Sequence, residues 1–380
     1  MDKHITQEIR LEALNPHASA EDEEIFREII DTGLNERQKE IIKTPSFIRP
    51  ECTSVMAVHW HPEFIPLDLI RTRIYSTFPN IRDALIIPTQ HNVLITWDDY
   101  AGVEVDCFSR EFNRKIQLLI HLRADRLQKA SSLCSMLEHT HKYRSTQLYE
   151  YIDSIIDPRW ENRVQKAASA TGSTQKIIGF IRHYMNIIKE LLDKNDSGLT
   201  VEMKKNRIVR DFFDCLRDRY DSLIINRCQF FLSELKKIVK AEFNLEYFYD
   251  THEIIEEARH LNGGIIVPHP EQFWPVLLAD YDIDGYEVWN PQSRQYSDFL
   301  INAVNRQNML HASKKNILTF MGDDTHMSEK LRLPRLQDST KAGREIGIQD
   351  GWSDPAIMES IRKAGLTKEY IIEEYKSRLN

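Results

Sequence analysis

Short apolar runs that end in an imidazole or a carboxylate recur along this chain, and that recurrence limits what it can fold into. Val55–Val58 runs into His59-Trp60-His61. Ala84–Ile87 is followed by His91, Gly102-Val103-Glu104-Val105 carries a carboxylate within an apolar run, and Ile116–Ile120 ends at His121. Later, Ile265–Val267 leads to His269, and Ile317–Met321 leads to Asp324 and His326. Short apolar runs bounded by polar residues read as buried strands. Side chains alternate across a strand, so His59 and His61 share one side, as do Asp324 and His326.

Helical patterns alternate with these runs, which predicts an α/β layout with parallel strands. In a barrel of parallel strands the carboxyl ends converge on one face. Donors scattered in sequence then meet in space: His59, His61, His91, Glu104, His121, His269, Asp324 and His326. Imidazole and carboxylate donors without thiolate suit Zn, Mn or Fe. One catalytic zinc uses about three protein ligands, so the surplus implies two or three divalent ions sharing carboxylates.

Some positions have plainer readings. His121 also fits an ordinary buried histidine at a strand end, and His91 shares that ambiguity. A carboxylate inside an apolar strand needs a partner; for Glu104 a metal serves well, whereas Glu287 could equally take a backbone or arginine partner. His139, His141, His183, His252 and His260 fall on helical patterns, and His183 lies off the apolar stripe of its helix. Trp60, Trp274 and Trp289 read as packing.

With 380 residues, 41% of them hydrophobic and 28% charged, the chain can bury a large core. A net charge of −8 argues against a nucleic-acid partner. No run reaches the ~18–20 apolar residues of a membrane span. The five cysteines contain no C-x-x-C spacing, which fits reduced thiols. Met1-Asp2-Lys3-His4-Ile5 opens no apolar signal region, so the expected location is cytoplasmic.

Four regions follow. Residues 1–50 form a helical arm, with Ile25, Ile29 and Ile30 as an apolar stripe. Residues 51–122 and 262–330 hold the donor-bearing strands. Residues 123–261 are a helical insertion, placed to cover or gate a site. Residues 331–380 are a C-terminal loop and helices. Ser173 or Thr174 caps one long helix of the insertion, and Asp250 and Glu253 have capping-box spacing.

The order of motifs resembles the PHP (polymerase and histidinol phosphatase) family of metal-dependent phosphoesterases. The stretches that carry the resemblance are His59-Trp60-His61, Thr89-Gln90-His91-Asn92, Gly102-Val103-Glu104-Val105, Leu119-Ile120-His121-Leu122, Val267-Pro268-His269-Pro270, Asp284-Gly285-Tyr286-Glu287-Val288-Trp289-Asn290 and Gly322-Asp323-Asp324-Thr325-His326. It spans about residues 53–122 and 262–330. It implies a distorted TIM-like barrel of parallel strands with a two- or three-metal cluster. The eight donors above would be the ligands, with Glu104 bridging. The chain departs from the family's pattern in three places. Gln90 stands where relatives have Asp. Glu63 or Asp68 stands near where relatives have a further histidine. The long insertion separates His121 from His269.

The expected activity is metal-dependent hydrolysis of a phosphoester on a small phosphorylated substrate, by a hydroxide bridging the metals. His269 or His326 would complete the cluster or donate a proton. Glu63 and Glu287 are further candidates. Arg294 and Arg306 could bind phosphate, although a solvated helix face is the simpler reading of both. Hydrolysis of a C–N or other non-phosphate bond is the first alternative. A non-catalytic metal-binding protein, with the insertion as an interaction surface, is the second.

Overall fold

In the computed structural model, which describes residues 11, 14–200, 202–310 and 315–380, the described chain forms ten strands. The first ten residues of the expected arm lie outside the described residues. The strands are β1 (Ser54–Ala57), β2 (Trp60–His61), β3 (Asp83–Ile86), β4 (Ile95–Trp97), β5 (Tyr100–Ser109), β6 (Arg114–Arg123), β7 (Gly264–Val267), β8 (Gly285–Trp289), β9 (Leu318–Met321) and β10 (Thr325–His326). β1 pairs with β3 and β2 with β10, both in parallel. The other six form an open sheet in the order β4-β5-β6-β7-β8-β9.

This mixed α/β architecture corrects the expectation of a TIM-like barrel. The strands do not close, and β4 through β7 pair antiparallel. The reason is connection length. Only residues 110–113 join β5 to β6, with Asn113 at φ 48°. A parallel crossover needs roughly a dozen residues or more, so a link this short can only return the chain antiparallel. Where helices intervene, parallel pairing follows: the Leu67–Thr77 helix lies between β2 and β3, and Ser297–Leu310 lies between β8 and β9.

The chain divides into two compact units. One comprises residues 34–141, 246–332 and 337–380 and contains every strand. Met56, Leu85, Leu119, Ile266, Leu318 and Phe320 pack there with Ile371, Ile372 and Tyr375 of the C-terminal helix Lys368–Leu379. Burying each such side chain contributes about 1.5–3 kcal/mol. The other unit comprises the described residues of 11–33, 142–245 and 333–336. Its core is helical, with Ile177, Ile181, Tyr184, Ile188 and Leu191 buried along the Gln175–Asn195 helix, which Thr174 caps.

These divisions differ from the sequence-based boundaries. Helices Ser131–His141 and Thr251–His260 belong with the strands, because Leu133, Leu137, Ile254, Ile255 and Ala258 join the sheet core. Residues 331–380 also divide, since 333–336 fall in the helical unit and the remainder stays with the strands.

Candidate metal centre

Backbone pairing delivers the donors. β2 and β10 align His61 with His326, and the amide of Asp324 donates to the carbonyl of His59 at 3.0 Å. An isolated parallel bridge sets His91 against Glu104. His269 and Asp324 adopt left-handed backbone, at φ 49° and 45°. That conformation costs a non-glycine residue of order 1–3 kcal/mol and concentrates at functional sites.

Seven of the eight expected donors meet. Asp324 Oδ1 lies 3.8 Å from His59 Nε2, 3.6 Å from His61 Nε2 and 3.4 Å from His326 Nε2. Glu104 Oε2 lies 3.5 Å from His61 Nε2 and 2.6 Å from His91 Nδ1. The His61 ring is stacked on those of His91 and His326, at 4.5 and 4.3 Å. Three sets of donors each fall within 4.8 Å: His61, His91 and His326; His59, His61 and Asp324; His59, Glu104 and His269.

His59 Nε2 and both ring nitrogens of His61 are buried without a hydrogen-bond partner. Leaving such atoms unpaired costs about 1–3 kcal/mol apiece. This donor set fits divalent cations, because coordination would satisfy His59 Nε2 and one ring nitrogen of His61 at once.

Further polar groups hold the imidazoles. Glu287 Oε2 lies 3.1 Å from His59 Nδ1 and accepts the His269 amide at 3.2 Å. Glu63 sits 3.5 Å from His326 Nδ1 and accepts from the amide and hydroxyl of Ser328. Asn290 Nδ2 lies 2.9 Å from His269 Nδ1. Asp324 Oδ2 accepts from Arg344 Nη1 at 2.9 Å and from Gln292 Nε2 at 3.1 Å. Backing of ligand histidines by carboxylates and amides is usual at metal sites.

The electrostatics match this arrangement. Burial alone would push His59 down, but Glu287, Asp324 and Glu104 outweigh it and lift His59 to about 10. Burial, together with His326 and His91, pushes His61 down to about 3. Burial opposes the charge on Glu104 and Asp324, yet the surrounding histidines hold both well below the usual carboxylate range.

His121 is the expected donor that the structure does not bring in. Its Nδ1 lies 2.9 Å from the Tyr375 hydroxyl and its Nε2 lies 3.0 Å from the Val58 carbonyl. It pairs with Gly102, on Glu104's face of the sheet but one pleat away. Both nitrogens are occupied, so the plainer reading of His121 holds. Glu63 and Glu287 stand behind the histidines and belong to none of the three donor sets. Arg294 lines a separate cavity, and Arg306 is exposed on the Ser297–Leu310 helix. Sequence reasoning missed Asn290, Gln292 and Arg344. Asn290 stood in a quoted motif; Arg344 had no local signal.

No protein-family model matches the chain, and the search of curated proteins found no match. Among solved structures, a crystal structure from Bifidobacterium adolescentis, provisionally described as a metal-dependent phosphoesterase, is similar with 12% identity and a TM-score of 0.37. The alignment covers 84% of this chain and 99% of that one. A likeness at this level carries no argument about this chain's family or function. No helix among the described residues is long and apolar enough to cross a membrane.

Proposed function

We propose that the chain is a metal-dependent hydrolase acting on phosphoesters of small molecules, in the manner of the PHP family that its motif order resembles. One observation carries this reading: three donor sets, each within 4.8 Å, are linked by His59 and His61, each of which belongs to two of them. His59, His61, Glu104 and Asp324 would hold divalent ions, with His91 and His326 completing the set. Ions bound there supply water acidified towards neutral pH and neutralise phosphoryl oxygens.

The chain's own groups divide the remaining work. Asn290 Oδ1 accepts from the amides of Gln292 and Ser293, at 2.8 and 3.0 Å. That turns its Nδ2, a donor only, towards His269 Nδ1. His269 Nδ1 therefore accepts, and the ring proton resides on Nε2. An imidazole in this tautomer donates a hydrogen bond from Nε2, which suits stabilising the charge that develops on a leaving oxygen. His269 is thus the proposed hydrogen-bond donor to the leaving group, and Asn290 the residue that sets its tautomer.

The test is a hydrolysis screen of the full chain against phosphomonoesters, phosphodiesters and amides with Mn or Zn added. Phosphoester turnover that disappears in His59→Ala is expected. Turnover of amides alone would overturn the phosphoester reading, and no turnover with any metal would overturn the enzyme reading.

A further inference from the structure

Beside the donor cluster, within the strand-bearing unit, lies a cavity of about 600 Å³. Its walls include Arg49, Arg294, Arg344, Phe47 and Trp289. Arg344 is 7% exposed. Its Nη1 is committed to the carbonyl and Oδ2 of Asp324, at 2.8 and 2.9 Å. Its Nε is buried and has no hydrogen-bond partner. A guanidinium in this state retains donors for one more acceptor, and leaving them unmet costs free energy. Arg294 is exposed on the same cavity and makes no ion pair with any described residue.

Acidic groups also border the cavity, but three are occupied. Glu345 is paired with Arg73 and Lys330. Asp323 accepts from the amides of Thr325 and Gly347. Asp350 is exposed, and the half-buried Asp354 accepts from the Ala356 amide at 2.9 Å.

We propose that this cavity is an oxyanion site for a small phosphorylated molecule, with Arg344 and Arg294 taking the phosphoryl oxygens. Arginine's fork of donors matches phosphate geometry. The volume exceeds what bare phosphate needs and falls in the range of small-molecule pockets. Phe47 and Trp289 supply apolar wall for an organic body. The site is separate from the donor cluster and does not rest on the hydrolase reading; through Arg344 its occupant would touch the residue that holds Asp324.

Calorimetric titration of the full chain with inorganic phosphate and with phenyl phosphate tests this, before and after chelator treatment. Saturable binding that survives chelation is expected, tighter for phenyl phosphate if the apolar walls meet the organic body and equal for the two if only the phosphoryl group is held. Arg294→Gln should weaken it at least tenfold (an order-of-magnitude figure for a lost charged contact) while leaving metal content unchanged. Binding that vanishes with the metal, binding equally tight in Arg294→Gln, or no saturable binding would each overturn the proposal. Arg344→Lys, which keeps the charge and loses the fork, should also weaken binding; unchanged affinity there would remove Arg344 from the site.

Discussion

Glu287 stands behind His59, its Oε2 3.1 Å from His59 Nδ1, with both side chains 1% exposed. With Glu287 holding the ring proton on Nδ1, the buried Nε2 would be the atom that coordinates an ion. Glu287→Gln preserves shape and removes the charge. It should weaken metal affinity by roughly 10–100-fold, the usual effect of losing such a partner. Competition with a fluorescent chelator measures this, and unchanged affinity would show that Glu287 has no part in ordering His59.

Gly322 guards the same contact from the other side. A Cβ at this position would lie 2.8 Å from the Glu287 carboxyl carbon and 3.3 Å from His59 Cβ. Gly322→Ala must displace Glu287 or the backbone of the turn after β9. The expected result is a folded chain, by circular dichroism, with metal affinity reduced at least as far as in Glu287→Gln. Full affinity in Gly322→Ala would mean that the turn yields without disturbing His59.

His121 and Tyr375 form a structural pair rather than part of the centre. Tyr375→Phe deletes the hydroxyl beside a buried ring nitrogen and should destabilise the chain by about 1–3 kcal/mol. Chemical denaturation reads that loss, and metal content per folded chain should not change. A drop in bound metal would return His121 to the ligand set.

Lys330 carries a pH signature. Burial pushes it down to about 8, against the opposing pull of Glu345. The unfolded chain keeps this proton to about 10.4. Between those values the unfolded state holds more protons, so at this residue raising the pH favours folding. From pH 8 to 10 the parent should therefore gain stability relative to Lys330→Met, by up to about 3 kcal/mol. Parallel pH profiles of the two proteins would contradict this.

How much was legible in sequence follows from the range of each interaction. The meeting donors were readable because strand alternation and strand ends are local signals. His121 shows the limit of that reasoning. Period two gives the face of β6, but only the partners Val58 and Tyr375 decide that the ring is capped. The antiparallel return at residues 110–113 lacks the Asn-Gly or Asp-Gly signature of tight hairpins, so two hairpin strands read as separate barrel strands. Arg344 reaches Asp324 across 20 positions, from a segment without periodicity. Nothing near it in the chain announces that contact.

The central claim is that the histidines and carboxylates around His61 hold divalent ions. Elemental analysis of the full chain after loading with Zn or Mn and desalting tests it most directly, alongside His61→Ala, which removes the imidazole shared by two of the three donor sets. The account predicts two or more ions per chain in the parent and a clear loss in the folded variant. A parent that retains no ion, or a variant that retains as many as the parent, would contradict it.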